Sequence, residues 1–469
     1  MAIAPSVSAA PSKPSINDPF DALRERIAGE VITPSDAHYD DARKVQVAHY
    51  DRRPSAIVRV SSTDDVAATV RFAAEHDMPL AVRSGGHSVP GLSMVDGGVT
   101  VDLSGMKRVL IDPIMRRARV QAGATSGDVA GPAHAHGLAI TTGDTSSVGM
   151  GGLVTGGGIG FMARKYGLTI DNLVSARVVT ADGNVLTASA SEHPDLFWAI
   201  RGGGGNFGIV TEFELQLARV DTVYAGAIVL PATREVIRGY LDYMPQAPDG
   251  LTTLADLMLA PPAPFIPEDL VGTPVFYVLT IWTGDKSAGE AAVAPLRALA
   301  EPIADTVDVI PYPAVYEYTQ ELTGRHGVAL RSMFSDSFSD QAIDDALEAI
   351  SRPTAMVNMV HIRGMGGAVS NVRADATAFA HRSQKYFISV IAVWTPDDEQ
   401  QSVHEAWADR LWSRIRPEGN GVYVNFLQNE EPERINDAYP AETLLRLREV
   451  KTKYDPANMF RFNQNIQPL

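Results

Sequence analysis

Cysteine is absent from the 469 residues of this sequence. Its absence excludes disulfides, thiolate metal sites and a cysteine nucleophile. The sequence also has no uninterrupted apolar run of the ~18 residues that a membrane-spanning helix needs. Residues 1–16 lack the basic and apolar regions of a secretory signal peptide. We therefore expect a cytoplasmic protein with no membrane partner.

Positive charge is in short supply, with 40 Lys and Arg against 56 Asp and Glu and a net charge of −16. This balance argues against nucleic acid as a partner. The length and the 45% hydrophobic content instead suggest two or three domains with large buried cores. No metal site is predicted.

Glycine, by contrast, is concentrated in four segments of the first half, at residues 83–87, 149–152, 156–160 and 201–208. Glycine lets backbone amides approach a ligand closely and adopts positive φ angles without strain. Successive amides of this kind form nests that hold a pyrophosphate. The pattern predicts a long, dinucleotide-sized cofactor lying along the backbone. His87, which ends the first segment, is a side chain to which a flavin can be attached.

The last glycine segment matches the dinucleotide-binding pattern Gly203-x-Gly205-x-x-Gly208. A Rossmann fingerprint follows a strand and opens a helix. Here the order is reversed, because residues 195–200 are helix-like and residues 209–215 are strand-like. The context therefore argues against a nicotinamide-dependent dehydrogenase. A flexible linker is also disfavoured, since two apolar elements bracket the segment closely.

Predicted strands and helices alternate from residue 20 to residue 215, beginning with a strand at 56–60 and a helix that Ser62 caps. Glycine then thins out, and residues 217–418 show the pattern of a second unit with an antiparallel sheet. Its predicted strands are at 275–282, 356–363 and 386–394, and its predicted helices at 286–300, 340–351 and 398–416. Glycine and asparagine return after Pro417.

Taken together, these motifs resemble those of the berberine-bridge-enzyme-like FAD-linked oxidases, in the vanillyl-alcohol oxidase superfamily. The resemblance runs from about Arg52 to Pro468, nearly the whole chain. The matching segments are Arg83-Ser84-Gly85-Gly86-His87, residues 148–160, residues 164–168, Asp171-Asn172, residues 201–210, Tyr423-Val424-Asn425 and residues 451–466.

The resemblance implies an α+β fold, in which an α/β FAD-binding domain of the PCMH type carries an inserted substrate domain with an antiparallel sheet. Residues 1–18 are expected to form a disordered lead. Residues 19–216 would form the FAD-binding domain and residues 217–418 the substrate-binding domain, whose sheet roofs the flavin. Residues 419–469 would return to the FAD-binding domain.

The implied cofactor is FAD, bonded through its 8α carbon to His87. Some members add a bond from a cysteine to flavin C6, but Thr145 occupies that position here, so no 6-S-cysteinyl bond can form. The candidate cofactor-binding residues are Arg83, Ser84, Gly85, Gly86, His87, Ser88, Thr145, Val148, Gly149, Gly152, Thr155, Gly156, Gly157, Gly158, Gly160, Asn172, Gly205, Gly208, Val210, Tyr423, Asn425, Asn463 and Asn465.

The Tyr-x-Asn motif implies catalytic roles for Tyr423, in a predicted strand, and for Asn425. A phenol removes a substrate proton only if its pKa is lowered from ~10, which needs a nearby cation or hydrogen-bond donor. The candidate partners around the predicted roof strands are His361, Arg363, His381 and Arg382.

Three further positions affect the expected chemistry. Leu153 and Phe426 stand where many members have a histidine and a tyrosine, which makes the site more apolar. In this family the residue at Val148 controls oxygen access to the flavin. A valine there implies an open path, and therefore an oxidase that produces hydrogen peroxide.

The leading hypothesis is an FAD oxidase that removes a hydride from a CH–OH group of a small molecule, such as a carbohydrate or a secondary-metabolite alcohol. The partners would be that substrate and O2, with the chain acting as a monomer or homodimer. The alternatives are oxidation of a CH–N bond, as in nicotine-type amine oxidases, and oxidative cyclisation of a natural product. A flavin-binding protein without turnover is the non-enzyme alternative.

Overall fold

The computed structural model describes residues 19–322, 324–428, 430 and 432–469. The expected disordered lead, residues 1–18, lies outside them. The strands that precede residue 220 are β1 (Glu30–Ile32), β2 (Ala56–Arg59), β3 (Leu80–Arg83), β4 (Val99–Asp102), β5 (Val109–Asp112), β6 (Arg117–Gln121), β7 (Leu138–Ala139), β8 (Leu173–Val179), β9 (Val185–Ser189), β10 (Ile209–Gln216) and β11 (Ala218–Arg219). The later strands are β12 (Thr222–Pro231), β13 (Leu251–Leu259), β14 (Pro274–Trp282), β15 (Ala304–Asp305), β16 (Asp308–Pro311), β17 (Gly327–Ser335), β18 (Val357–Gly364) and β19 (Tyr386–Trp394).

The helices cover and connect these strands. They are α1 (Asp21–Arg24), α2 (Tyr39–Ala42), α3 (Thr63–Glu75), α4 (Ser126–His134), α5 (Met150–Gly156), α6 (Ala163–Tyr166), α7 (Pro194–Ala199), α8 (Arg234–Tyr243), α9 (Lys286–Arg297), α10 (Asp340–Ile350), α11 (Gln401–Ile415), α12 (Ile435–Ala438) and α13 (Ala441–Tyr454). No helix within the described residues has the length and hydropathy needed to cross a bilayer.

The strands form separate sheets, which confirms the α+β class. The first sheet has the order β1-β2-β4-β3, in which β4 runs parallel to both β2 and β3. The second is antiparallel, in the order β5-β6-β10-β8-β9. A large antiparallel sheet, β15-β12-β14-β13-β18-β19-β17, takes all its strands from residues 222–394, and β16 pairs with β12. The domain boundaries at residues 216 and 418 remain a prediction.

Local signals explain several of these elements. Ser62 Oγ accepts a hydrogen bond from the Asp65 amide at 3.1 Å and caps α3, as predicted. Thr125 and Asp128 cap α4 reciprocally, and Gly137 lies just beyond that helix at φ 64°. The predicted turn between β8 and β9 has Gly183 at φ 75°, a conformation that glycine adopts without strain.

The large sheet separates two hydrophobic cores. One face packs against α8, α10 and α11 through residues such as Val360, Ile388 and Leu411. The opposite face turns Phe334 and Phe387 toward the core that the first two sheets share. Because alternate residues of a strand point to opposite faces, the residues that alternate with Val360 on β18 and with Ile388 on β19 face the glycine segments.

The last helix ties the end of the chain to the last glycine segment. The Lys451 ammonium donates hydrogen bonds to the Asn206 carbonyl at 2.8 Å and to the Phe460 carbonyl at 2.9 Å, and it pairs with Asp455 at 2.6 Å. Lys451 and Asp455 are fully buried. This pair therefore holds residues 455–460 beside the loop that contains Asn206.

Candidate active site

A cleft of about 490 Å³ lies between the glycine segments and the large sheet. We call residues 84–88, 148–158 and 203–210 the glycine floor. The opposite side of the cleft is lined by residues of β17, β18 and β19, and we call these residues the roof: Leu330, His361, Arg363, Phe387 and Val393. The cleft therefore joins the predicted cofactor segments to the predicted substrate sheet.

The first two floor segments meet backbone to backbone. Ser84 Oγ donates a hydrogen bond to the Ala122 carbonyl at 2.6 Å and accepts one from the Gly151 amide at 3.2 Å. A Cβ atom on Gly149 would lie 2.1 Å from the Gly85 nitrogen, and one on Gly85 would lie 2.3 Å from the Gly149 nitrogen. Only glycine at both positions permits this approach.

Other floor glycines open toward the cleft. A Cβ atom added to Gly152 or to Gly205 would meet no atom within 4 Å, so both positions leave space in which a ligand can contact the backbone. Asn463, which also lines the cleft, has a buried side-chain oxygen that finds no hydrogen-bond partner among the described residues. A cleft with accessible backbone and an unused polar atom fits the FAD predicted for it.

His87 lies at the end of the first floor segment and lines the cleft. Its Nε2 atom is 3.0 Å from Ser147 Oγ. Burial lowers the pKa of the imidazole to about 4, because a charged ring would lose hydration there. The ring is therefore neutral at physiological pH and keeps a nitrogen lone pair.

Tyr423 joins the C-terminal segment to the floor. It precedes the short 3-10 helix Val424–Phe426 instead of lying in the predicted strand. Its phenol oxygen accepts hydrogen bonds from the Gly158 amide and from Asn425 Nδ2, each at 3.0 Å, and Asn425 Nδ2 also donates to the Gly152 carbonyl at 3.1 Å. Burial nevertheless raises the pKa of Tyr423 to about 12. The hydrogen bonds from these protein groups therefore do not lower the pKa of Tyr423 as a phenolate base would require.

Arg363 connects the roof to the floor. It is 3% exposed, donates to the Ile159 carbonyl at 3.0 Å and forms an ion pair with Asp144. Asp144 lines the cleft beside Thr145, and it is the only carboxylate among the described residues that do so. Sequence reasoning missed Asp144, although it lies directly before the predicted cofactor residue Thr145.

His361 reaches the cleft two residues before Arg363 on β18 and therefore lies on the same face of the strand. Its Nδ1 atom is 2.7 Å from the Asp256 carboxylate on β13. Sequence reasoning also missed Asp256. Its pairing with His361 follows from strand register, since the two positions are 105 residues apart.

The structure brings most of the predicted site residues to this one cleft. Those that line it are Ser84, Gly85, Gly86, His87, Ser88, Thr145, Val148, Gly149, Gly152, Thr155, Gly158, Gly205, Gly208, Val210, His361, Arg363, Tyr423, Asn425 and Asn463. The apolar residues Leu153, Phe426 and Phe387 line it as well.

Other predicted residues lie behind the lining. Arg83 turns away to Asp102, with Nε 3.2 Å from the carboxylate, and Asn172 donates to the Tyr166 and Leu168 carbonyls. A Cβ atom on Gly160 would lie 1.5 Å from the Thr142 carbonyl oxygen. These positions support the floor from beneath. Asn465 also lies outside the lining, and its buried side-chain oxygen has no hydrogen-bond partner within the part of the chain that the structure describes.

Gly156 and Gly157 likewise support the cleft without lining it. A Cβ atom on Gly156 would lie 2.2 Å from the Asn425 side chain, and one on Gly157 would lie 3.2 Å from the Tyr423 ring. The two glycines thus make room for the Tyr-x-Asn motif.

Two of the basic candidates have structural partners outside the cleft. His381 stacks on Phe334 with ring centroids 5.1 Å apart, and its Nε2 atom is 2.7 Å from the Asp437 carbonyl oxygen. Arg382 binds the Asp171 carboxylate through two hydrogen bonds of 2.8 Å. Their positions favour a supporting role for both.

Comparison with known proteins adds independent findings. Residues 54–189 match a family model described as an FAD binding domain, and residues 422–467 match one described as berberine and berberine like. The (R)-6-hydroxynicotine oxidase of Paenarthrobacter nicotinovorans is 33% identical over 94% of this chain and 97% of its own length. An uncharacterized FAD-linked oxidoreductase of Bacillus subtilis is 30% identical over 95% of this chain and 98% of its own.

Solved structures agree with the sequence comparisons. The crystal structure of 6-hydroxy-D-nicotine oxidase from Arthrobacter nicotinovorans superposes with a TM-score of 0.86 at 29% identity, covering 94% of this chain and 98% of that one. A chitooligosaccharide oxidase superposes with a TM-score of 0.84 at 22% identity, covering 96% and 100%, and supports the fold.

Proposed function

The chain belongs to the berberine-bridge-enzyme-like family of FAD-linked oxidoreductases, and from that premise we propose that it oxidises the CH–OH group of a neutral small molecule, with O2 as the final electron acceptor. The substrate would bind between the roof and the part of the cleft that Gly152 and Tyr423 line. A carbohydrate or a secondary-metabolite alcohol fits the mixture of polar and aromatic groups there.

The observation that carries this proposal is the charge of the cleft lining. Among the described residues, Asp144 is its only carboxylate, and Arg363 already binds it. A protonated amine would therefore find no unpaired carboxylate in direct contact, whereas a neutral alcohol does not require one. The net charge of −16 for the whole chain thus does not describe the pocket.

FAD, when bound, accepts the hydride of the substrate carbon and passes two electrons to O2, which yields hydrogen peroxide. The residues proposed to hold it are those of the floor. Gly152 and Gly205 would leave room for it, and Asn463 would offer its unpartnered oxygen. Asn425 would be held by its contacts with Gly152 and Tyr423.

We also propose that His87 bonds covalently to the 8α carbon of the flavin. A ring nitrogen can form that bond only through a free lone pair, and burial lowers the pKa of His87 enough to keep the ring unprotonated. Ser147 Oγ, at 3.0 Å, would fix the orientation of the imidazole. Val148 follows Ser147 in the sequence and lines the cleft, and it is proposed to leave a path for oxygen.

A second candidate function is oxidation of a CH–N bond. It is favoured by the 33% identity to a 6-hydroxynicotine oxidase over nearly the full length of both chains. The paired state of Asp144 argues against a cationic substrate, so this candidate is placed second.

The test is a peroxide assay of the purified protein with pairs of compounds that share a carbon skeleton and differ only in OH or NH2. We expect peroxide from alcohols. Peroxide from the amine members alone would replace the first candidate with the second, and no flavin reduction by any compound would support a flavin-binding protein without turnover. Yellow colour in the washed acid precipitate checks the covalent bond, whereas a yellow supernatant contradicts it.

A further inference from the structure

A row of polar residues crosses the apolar roof sheet. Asp256 on β13 pairs in register with His361 on β18, His361 with Ser389 on β19, and Ser389 with Ser332 on β17. Residues paired in register on neighbouring strands share one face of the sheet. Their face is that of Arg363 and Phe387, which line the cleft. Polar groups so placed in a buried sheet require partners or a function.

One ring nitrogen of His361 is hydrogen-bonded, and the other has no hydrogen-bond partner among the described residues. Nδ1 lies 2.7 Å from the Asp256 carboxylate, which can only accept, so Nδ1 carries the proton of this hydrogen bond. In the neutral ring Nε2 then holds the lone pair. Nε2 has no hydrogen-bond partner among the described residues, and it is not among their enclosed unpartnered atoms. Because His361 lines the cleft and Asp256 does not, the open nitrogen is available to a ligand.

The other titratable groups of the cleft are less suited to accept a proton. Arg363 is permanently protonated in proteins, and Asp144 is its ion-pair partner. Tyr423 would have to lose its own proton first, and burial opposes that loss. His326 also lines the cleft, but no carboxylate orients its ring among the contacts of the described residues.

We propose that His361 Nε2 accepts the hydroxyl proton of the substrate and that Asp256 positions the ring and stabilises its protonated form. This inference rests on the proposed alcohol oxidation. The substrate O–H bond breaks toward Nε2 while the carbon gives up its hydride to oxidised flavin, so that a C=O group forms. The proton then passes from the imidazolium to water. Asp256 is a positioning residue, because it acts through His361 and does not line the cleft.

The arrangement also narrows the substrate class. The reacting carbon must lie between the floor and the middle of β18, with its hydroxyl directed at the roof. Arg363 follows His361 by two residues on the same face, so a second oxygen of the substrate could lie beside the guanidinium. A polyhydroxylated or oxygen-rich alcohol fits this spacing better than a simple hydrocarbon alcohol.

The first experiment measures flavin reduction in the holoenzyme by stopped flow across a pH series, with an alcohol that reduces the wild type. Asp256 contacts the ring, and the ionisable groups that line the same cleft are Arg363, Asp144, Tyr423, His326 and His87. We expect a wild-type rate that falls as the pH drops through the titration of one group. His361→Gln should be slower by roughly 100-fold and lose that pH dependence.

The positioning role of Asp256 has its own variants. Asp256→Asn removes the charge that stabilises the imidazolium, so the titration in the rate profile should move to lower pH, and Asp256→Glu should restore part of the rate. Asp398→Asn is the matched control. It alters a second His–Asp pair, in which His404 Nε2 lies 3.2 Å from Asp398 and neither residue lines the cleft. This control should retain the wild-type profile.

A readout independent of turnover is the NMR titration of the holoenzyme with 13C-labelled histidine. His361→Gln identifies the His361 signal. We expect Asp256→Asn to move the titration of that signal to lower pH and Asp398→Asn to leave it in place. Each variant must keep the wild-type FAD content and far-UV circular dichroism, and Asp256→Glu supplies the comparison if Asp256→Asn does not fold.

The outcomes separate the two proposals. If an alcohol reduces the wild type and His361→Gln keeps both the rate and the pH profile, the assignment of the base is wrong, while alcohol oxidation stands. An Asp256→Asn signal that titrates as in the wild type would remove the positioning role. If no alcohol reduces the wild-type flavin, both proposals fall together, because there is then no hydroxyl proton to accept.

Discussion

The glycine floor and the roof enclose the same cleft by opposite means. The floor is made of backbone that approaches other backbone, as where Gly85 and Gly149 meet. The roof is made of side chains that the register of β17, β18 and β19 brings together. The floor therefore depends on the absence of side chains at its glycines, whereas the roof depends on the functional groups of particular side chains.

This difference assigns cofactor binding to the floor and substrate selection to the roof. A backbone surface that fits one cofactor tolerates almost no added atoms and leaves little scope for variation. Side chains on strands can be exchanged one at a time, because the sheet beneath them is held by its own hydrogen bonds and by the core behind it. We therefore expect substitutions of the closely packed floor glycines to lose the cofactor or the fold, and substitutions in the roof to change rate or substrate.

The largest effect is expected from Gly149→Ala, which breaks the floor. The added Cβ atom would lie 2.1 Å from the Gly85 nitrogen and force two backbone segments apart. We expect the free energy of unfolding to fall by about 4 kcal/mol, with loss of bound FAD. Chemical denaturation and flavin absorbance measure both. Gly152→Ala is the control, since its Cβ would enter open space and should weaken FAD retention without a comparable loss of stability.

The next effect is expected from Arg363→Met, which alters the roof. The change leaves Asp144 without its buried partner, and because the Asp144 side chain is 30% exposed the loss should be about 2.5 kcal/mol, less than for a fully buried pair. It also creates an unpaired carboxylate in the cleft, so binding should shift from alcohols toward amines of the same skeleton. Arg373→Met, which removes an exposed ion pair with Asp375, is the control. An unchanged ratio of alcohol to amine binding would contradict the charge argument.

A smaller effect is expected at His87 and is visible only in acid. The folded pKa, about 4, lies below the ordinary value of 6.5. As the pH falls below 6.5 the unfolded chain takes up the proton first, so the apoprotein loses stability between these values. At pH 5 the loss is about 2 kcal/mol. Denaturation of apoprotein and of apo-His87→Gln at pH 8 and pH 5 should show a larger decrease in the wild type; equal decreases would argue against a buried neutral ring.

The smallest effect is expected from Val148→Leu, which enlarges one side chain of the cleft lining. The larger side chain should restrict oxygen without disturbing the backbone contacts of the floor. We expect reoxidation of the reduced flavin to slow by about tenfold, which corresponds to about 1.4 kcal/mol, while reduction by substrate is unchanged. Stopped-flow mixing with oxygen measures the first rate. Val148→Ala should reoxidise at least as fast as the wild type, and slowing in both variants would indicate a disturbed floor instead of a blocked path.

The floor could be predicted from the sequence because its signal is local. Glycine clusters, the cap at Ser62 and the turn at Gly183 each act over a few residues. Strand β12 carried no such signal, since nearly all of residues 222–231 are buried and show no alternation between polar and apolar positions. Strands buried on both faces lose the pattern by which a strand is recognised.

The roof was harder to predict from the sequence, for a different reason. Arg363 and His361 were candidates because they are charged residues near predicted strands, but the same reasoning selected His381 and Arg382, whose partners lie outside the cleft. Asp256 and Asp144 acquire their positions only through pairing with residues more than 100 positions away. Sequence spacing does not encode a contact that depends on the order of strands in a sheet.

The buried Lys451 has a consequence for the synthesis of the protein. Its ammonium joins the carbonyl of Asn206 to that of Phe460, so one wall of the cleft is secured by a residue translated long after the loop it holds. During translation the glycine segments leave the ribosome well before Lys451 has been synthesised. Flavin loading should therefore follow chain release, and nascent chains cut before Lys451 should emerge colourless.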